Sequence, residues 1–337
     1  MVFGRAMANC DCDVILPAES HWEQHYSNCK LKWNNGKHPL NSDGTIALPN
    51  NHLKNIECDI LYHLGMDTNS YDLPKLFGDV KFICMGGTKY RMREFAEHIS
   101  TILPEYKVQG KLVNLSKHSH RYAMYKVGPV LSVNHGIGIP SMTVVLQEVI
   151  KLLAYAKAVN PVIFRIGTCG GLDLPPGSVV ISSHGINGAL EKSYDLPVLG
   201  KIKKYSTNFD KRIYQEVQTM SLDTDDFSTH IGITMAADDF YRGQGRIDGP
   251  FCEHSEEDKY HFLKKLNAMG VKNIEMEATA FAAMTSEAGL RAADVCVTLI
   301  DRLLGDQVSS SKQDILRWQK RPMYIVGRYI EKYCNKK

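Results

Sequence analysis

The stretch Val162-Ile163-Phe164-Arg165-Ile166-Gly167-Thr168-Cys169-Gly170-Gly171-Leu172 runs from apolar residues into an arginine, then into glycines around a hydroxyl. Its first half reads as a buried strand. An unpaired guanidinium at the tip of such a strand carries a large desolvation cost, so Arg165 needs an anionic partner. The glycines behind it let backbone N–H groups approach that partner closely. Two partners satisfy this reading, a carboxylate of the protein itself or the oxyanion of a ligand.

Outward from this segment, the runs Val80-Lys-Phe-Ile-Cys-Met85, Val130-Leu-Ser-Val133, Val179-Val-Ile181 and Val295-Cys-Val-Thr-Leu-Ile300 alternate with helical patterns. That alternation implies an α/β fold, a sheet covered by helices. Met142, Val145, Leu146, Val149, Ile150 and Leu153 recur at helical spacing behind Pro140, and Met323, Val326, Tyr329, Ile330 and Tyr333 do so near the C-terminus. Residues 1–55 are polar and unpatterned, which predicts a mobile extension ahead of a single domain over residues 56–337.

The 337 residues are 44% hydrophobic and 23% charged, an ordinary balance for a globular enzyme. A net charge of +3 comes from dispersed lysines and arginines without a basic run, so nothing calls for a nucleic-acid or membrane partner. No stretch approaches a membrane span. The nine cysteines include only one tight pair, Cys10-Asp-Cys12, with no second pair to complete a zinc site. Reduced thiols and a cytoplasmic location are expected.

Three further segments carry candidate chemistry. Gly86-Gly87-Thr88-Lys89-Tyr90-Arg91 follows a strand and opens a helix, so backbone N–H groups and Arg91 converge where a phosphate would fit; a plain tight turn is the alternative. Asn273-Ile-Glu275-Met276-Glu277 sets two carboxylates and a thioether at a strand-to-helix junction, where each carboxylate either accepts from vicinal hydroxyls or caps the following helix. In Phe240-Tyr241-Arg242-Gly243-Gln244-Gly245-Arg246 an aromatic pair precedes an amide and a guanidinium, which could stack a planar ring and read its edge. A generic polar loop has the same composition.

Together with Asp59-Ile-Leu-Tyr-His63, Phe77-Gly-Asp-Val-Lys-Phe82, Arg121-Tyr-Ala-Met-Tyr-Lys-Val-Gly-Pro129 and His135-Gly-Ile-Gly-Ile-Pro-Ser141, these segments resemble the animal-type uridine phosphorylases of the nucleoside phosphorylase superfamily. The resemblance reaches from about Asp59 to Pro322. It implies a central mixed sheet flanked by helices, and a homodimer with shared active sites. Carried over by position, phosphate would meet Gly87, Arg91, Arg165 and Thr168, with Arg121 reaching in from a neighbouring subunit. The ribose would lie against Thr168, Met276 and Glu277 with the neighbour's His63 near its 5′-hydroxyl, and Gly170, Phe240, Gln244, Arg246 and Arg302 would hold the base.

The implied reaction is reversible phosphorolysis of uridine to uracil and α-ribose 1-phosphate, with phosphate as a substrate and no metal or organic cofactor. Arg91, Arg165, Gln244, Arg246 and Glu277 would be its catalytic residues, since bond cleavage develops positive charge on the sugar and negative charge on the base. Asp301 stands where many of these enzymes carry Asn and where purine-cleaving relatives use an Asp to protonate the base. A purine or broad specificity, and a catalytically silent nucleoside-binding paralogue, are the alternatives.

Overall fold

The computed structural model describes residues 38–335. Eight strands form one mixed sheet: β1 (Phe82–Gly86), β2 (Met124–Val127), β3 (Val130–Asn134), β4 (Val162–Gly171), β5 (Val179–Ile186), β6 (Thr229–Ala236), β7 (Val271–Glu275) and β8 (Arg291–Asp301). Their spatial order is β7-β6-β5-β8-β4-β1-β3-β2. The far end of β4 also pairs antiparallel with β7, Gly170 opposite Ile274 and Gly171 opposite Asn273, so five strands close on themselves. This closure brings the glycine-rich end of β4 beside the carboxylates that follow β7.

The strands are buried on both faces, and their side chains alternate between two cores as the pleat requires. Ile83, Leu131 and Ile163 join one core with α2 (Ile139–Tyr155) and α5 (Ala278–Glu287). Cys84, Val130 and Phe164 join the other, against α1 (Lys89–Ile102), α3 (Lys211–Gln218) and α6 (Arg321–Cys334). There Phe164 meets Tyr329 edge-on at 5.2 Å. A smaller third cluster packs Leu263 and Leu266 of α4 (Glu256–Ala268) on Met235 and Ile274.

The helices expected behind Pro140 and at the C-terminus are α2 and α6. Ahead of residue 56, part of the described chain touches the sheet and helices that follow. The His38 N–H donates to the Glu287 carbonyl, Thr45 bridges Val159, and Ile46 is buried in the first core. Composition hid these contacts because they rest on backbone bonds and on three scattered apolar side chains, Leu40, Ile46 and Leu48. Residues 1–37 lie outside the described residues. Among the described residues, no helix is long and apolar enough to cross a membrane, and Cys58, Cys84, Cys169, Cys252, Cys296 and Cys334 are free thiols.

Candidate active site

A cavity of about 240 Å³ opens where β1, β3, β4 and β7 end. Gly87, Arg91, Arg165, Thr168, Gly170, Phe240, Gln244, Arg246, Met276, Glu277 and Arg302 all line it. His63 and Arg121 do not. They share a second cavity, with Gly136 in the walls of both. His63 is held there by Glu148, which accepts from its backbone N–H and lies 2.7 Å from Nδ1. Arg121 is exposed and has no ion-pair partner among the described residues.

At one end of the main cavity, both readings of Arg165 hold in part. Its Nη1 donates to Asp294 Oδ1 at 2.7 Å and lies 2.9 Å from Glu275 Oε2, while Nη2 pairs with Glu277. The protein's own carboxylates therefore satisfy much of the guanidinium, but its buried Nε–H has no partner. Carboxylate occupation of Nη1 and Nη2 leaves Nε–H and the second Nη2 proton as the unspent edge. Gly167 is required here, since a Cβ would stand 2.6 Å from Cys296 Sγ and 3.0 Å from Arg165 Nη1.

Asp294 is itself part of a row that crosses the sheet. Hydrogen bonds of 2.7, 2.6 and 2.7 Å link Asn273 on β7, Thr234 on β6, Ser182 on β5 and Asp294 on β8 in sequence. Neighbouring strands thus supply successive links, ending on Arg165 of β4. Every polar side-chain atom of the row is met by a neighbour except the Asn273 amide nitrogen, which has no partner.

Of the two roles left open by sequence, capping the following helix falls to Glu275, and both carboxylates line the cavity. Glu275 caps α5, accepting from the N–H groups of Glu277 at 2.8 Å and Ala278 at 3.0 Å. Glu277 faces the cavity, pairs with Arg165 and accepts from the Gly138 N–H at the start of α2. Burial, with Glu277 and Asp294 nearby, pushes the Glu275 carboxyl up to about 8 against the pull of Arg165. Burial also works to raise Glu277, but Arg165 holds it below the usual carboxylate range.

Arg91 contrasts with Arg165. Thr88 caps α1 by accepting from the Arg91 N–H at 3.2 Å, and Arg91 makes no ion pair among the described residues. Burial and the neighbouring Arg165 lower its pKa from the ordinary arginine value, the signature of a cation short of anionic partners. A Cβ at Gly87 would meet Arg91 Nη2 at 2.7 Å, so the glycine makes room for this side chain.

The other end of the cavity rests on Asp306. Its carboxylate accepts from Arg302 Nε at 3.1 Å, Lys259 Nζ at 2.8 Å and the Ile247 N–H at 3.1 Å, while its carbonyl accepts from Arg246 Nη2 at 2.8 Å. Arg302 in turn donates to the Gln244 carbonyl at 2.9 Å and crosses over Gly170, where a Cβ would lie 2.7 Å from its Cγ. Arg246 gives Nε and Nη2 to Asp248 at 2.8 and 2.6 Å and lies 4.5 Å over the Phe240 ring. Its open donors are therefore on Nη1. Gly245 adopts φ +65°, which turns the chain between Gln244 and Arg246 so that both face inward.

Asp301 stays out of the wall. It accepts from the N–H groups of Asp173 at 3.2 Å and Leu303 at 3.0 Å, while Ile300 and Arg302 on either side line the cavity. Three functional positions escaped sequence reasoning: His135 in the wall, Asp294 behind Arg165, and Asp306 beneath the base-side loop. Asp294 left a readable signal as an acidic residue inside an apolar strand, and Asp306 as the i,i+4 partner of Arg302.

With this geometry in hand, similarity to known proteins is specific. The phosphorylase superfamily pattern matches residues 81–331. Mouse uridine phosphorylase 1 is 44% identical over 86% of this chain and 94% of its own, and a uridine and thymidine phosphorylase of Caenorhabditis elegans is 41% identical over 87% and 98%. The crystal structure of Schistosoma mansoni uridine phosphorylase with thymidine superposes with a TM-score of 0.82 at 36% identity, covering 86% of this chain and 98% of that one. A mixed sheet that closes beside an arginine-lined cavity, and relatives matched along nearly their full length, make this chain a member of the phosphorylase superfamily, in its uridine phosphorylase family.

Proposed function

We propose that the protein catalyses reversible phosphorolysis of uridine to uracil and α-ribose 1-phosphate. One observation carries the reading: a single cavity is lined by the under-compensated Arg91 and by Arg165, by Gln244 and Arg246, and by Met276 and Glu277. Phosphate at the arginine end attacks C1′ from the face opposite the base. The N-glycosidic bond breaks and its electron pair leaves with uracil, where Arg246 Nη1 and the Gln244 amide receive the developing charge. Glu277 accepts from the ribose hydroxyls and its charge favours the oxocarbenium-like sugar. The reaction calls for no metal or organic cofactor.

Base choice follows from donor patterns. The Gln244 amide can accept from uracil N3–H and donate to a carbonyl, and Arg246 can donate to the second carbonyl. Cytosine lacks that N–H and offers an amino donor instead, leaving buried groups unpaired at about 1–3 kcal/mol each. Asp301, tied to two backbone N–H groups outside the wall, supplies no acid for a purine. Absorbance assays with uridine, thymidine, inosine and cytidine, with and without phosphate, test this. Phosphate-dependent loss of uridine with cytidine and inosine untouched is expected; inosine cleavage at a comparable rate would contradict it.

The reading includes a cytoplasmic homodimer in which Arg121 and His63 complete the neighbour's site. Its support is that Arg121 is exposed, unpaired among the described residues and outside its own chain's main cavity. Arg91→Ala and Arg121→Ala homodimers should each be nearly inactive. After co-refolding, about half the dimers are mixed and each holds one intact site, so about a quarter of all sites should regain full activity. Verified mixed dimers with no recovery would reject sharing.

A further inference from the structure

His135 follows the end of β3 and is 1% exposed in the cavity wall, yet neither ring nitrogen has a hydrogen-bond partner. Nearly all buried polar side-chain atoms are partnered, so a ring in the cavity wall with no side-chain partner on either nitrogen, and only the Gly136 backbone beside it, points to groups that arrive with a ligand. The ring is placed by the sheet itself. Its backbone N–H donates to Gly86 at 2.8 Å, and its carbonyl accepts from Ser141 Oγ at 2.6 Å.

Three charges surround it, Glu277 and the two guanidiniums of Arg165 and Arg91. Burial, reinforced by both arginines and opposed by Glu277, pushes its pKa down to about 3, so the ring is neutral under physiological conditions. A neutral imidazole has one N–H and one bare nitrogen. An anionic oxygen can accept from the first, but only a donor can fill the second. The dianion of a sugar phosphate, unlike hydrogen phosphate, has no P–OH, so its phosphoryl oxygens only accept, and a sugar hydroxyl offers the donor.

We propose that His135 is a further substrate-binding residue, bridging a phosphoryl oxygen and a hydroxyl of the bound sugar phosphate. The proposal rests on the phosphorolysis reading for the identity of that ligand. His135 thereby joins the arginine end of the cavity to Glu277, so its contribution is largest when phosphate and sugar are one molecule.

The test uses the full-length protein in the synthetic direction. His135→Leu keeps an apolar side chain of similar bulk in the pocket but removes both nitrogens. It should raise the KM for ribose 1-phosphate by about tenfold or more and leave the KM for uracil within about twofold. His135→Asn, with an amide that donates and accepts, should recover part of the loss. In ¹⁵N-histidine-labelled wild-type protein, both ring nitrogens of His135 should shift on adding ribose 1-phosphate, whether or not turnover occurs. Unmoved ring signals, or equal rises in both KM values, would overturn the assignment. Failure of the wild type to convert uridine with phosphate would instead overturn the phosphorolysis reading, and the ring signals still answer for His135.

Discussion

The two ends of the cavity use the same residue, arginine, in different settings. At one end Arg165 projects from a strand inside the closed sheet, clamped by carboxylates from β7, the start of α5 and β8. At the other, Arg246 and Gln244 sit on a loop that hangs from Asp306 and Asp248. The first arrangement is fixed by sheet register; the second can be changed without disturbing the core. Each guanidinium is paired before any ligand arrives, and what remains unspent is Nε–H on Arg165, which is buried, and Nη1 on Arg246.

This contrast breaks most visibly at Arg165. At neutral pH, where Glu275 keeps its proton, Arg165→Ala strands the charges of Glu277 and Asp294 in the interior, so urea unfolding should show a stability loss of about 3–5 kcal/mol together with loss of activity. An unchanged unfolding midpoint would mean that the carboxylates are solvated or neutral. Arg246→Ala should do the reverse, lowering kcat/KM for uridine by about 2–4 kcal/mol with a much smaller change in stability. Near-normal uridine kinetics in that variant would remove Arg246 from the base site.

Asp306→Asn removes the charge beneath the loop but keeps an acceptor. Its effect, about 1–2 kcal/mol, should fall on the KM for uridine and spare that for phosphate. A matching rise in phosphate KM would show that the two ends are mechanically coupled. Glu275→Gln is the mildest change. Because the Glu275 pKa is raised to about 8, the carboxyl holds its proton below that pH and adds a negative charge beside Arg165 above it. After correction for phosphate's own ionisation, wild-type phosphate KM should climb on the alkaline side, and Glu275→Gln should flatten the climb. The same climb in the variant would assign it to another group.

Legibility in the sequence follows the same division. Strands with apolar side chains on both faces, such as Val162–Phe164 and Val179–Ile181, announced themselves, and so did the helices behind Pro140 and near the C-terminus. Strand β6 did not, because Thr234 in its buried stretch belongs to the polar row that runs from Asn273 to Asp294. The pairing of β4 with β7 joins residues about a hundred positions apart, which no local pattern encodes. Site residues on the glycine-rich segments were readable because glycine marks close approach. Asp294, Asp306 and His135 act from behind or beside those segments, where only the folded chain reveals what they touch.

The central claim is that one end of the cavity delivers phosphate to the sugar while the other receives the base. Incubating the purified protein with uridine and inorganic phosphate and quantifying both products tests it most directly. Uracil and ribose 1-phosphate should appear in equal amounts, with none of either when phosphate is omitted. Uracil released with free ribose, at a rate indifferent to phosphate, would show that water is the nucleophile and contradict the account.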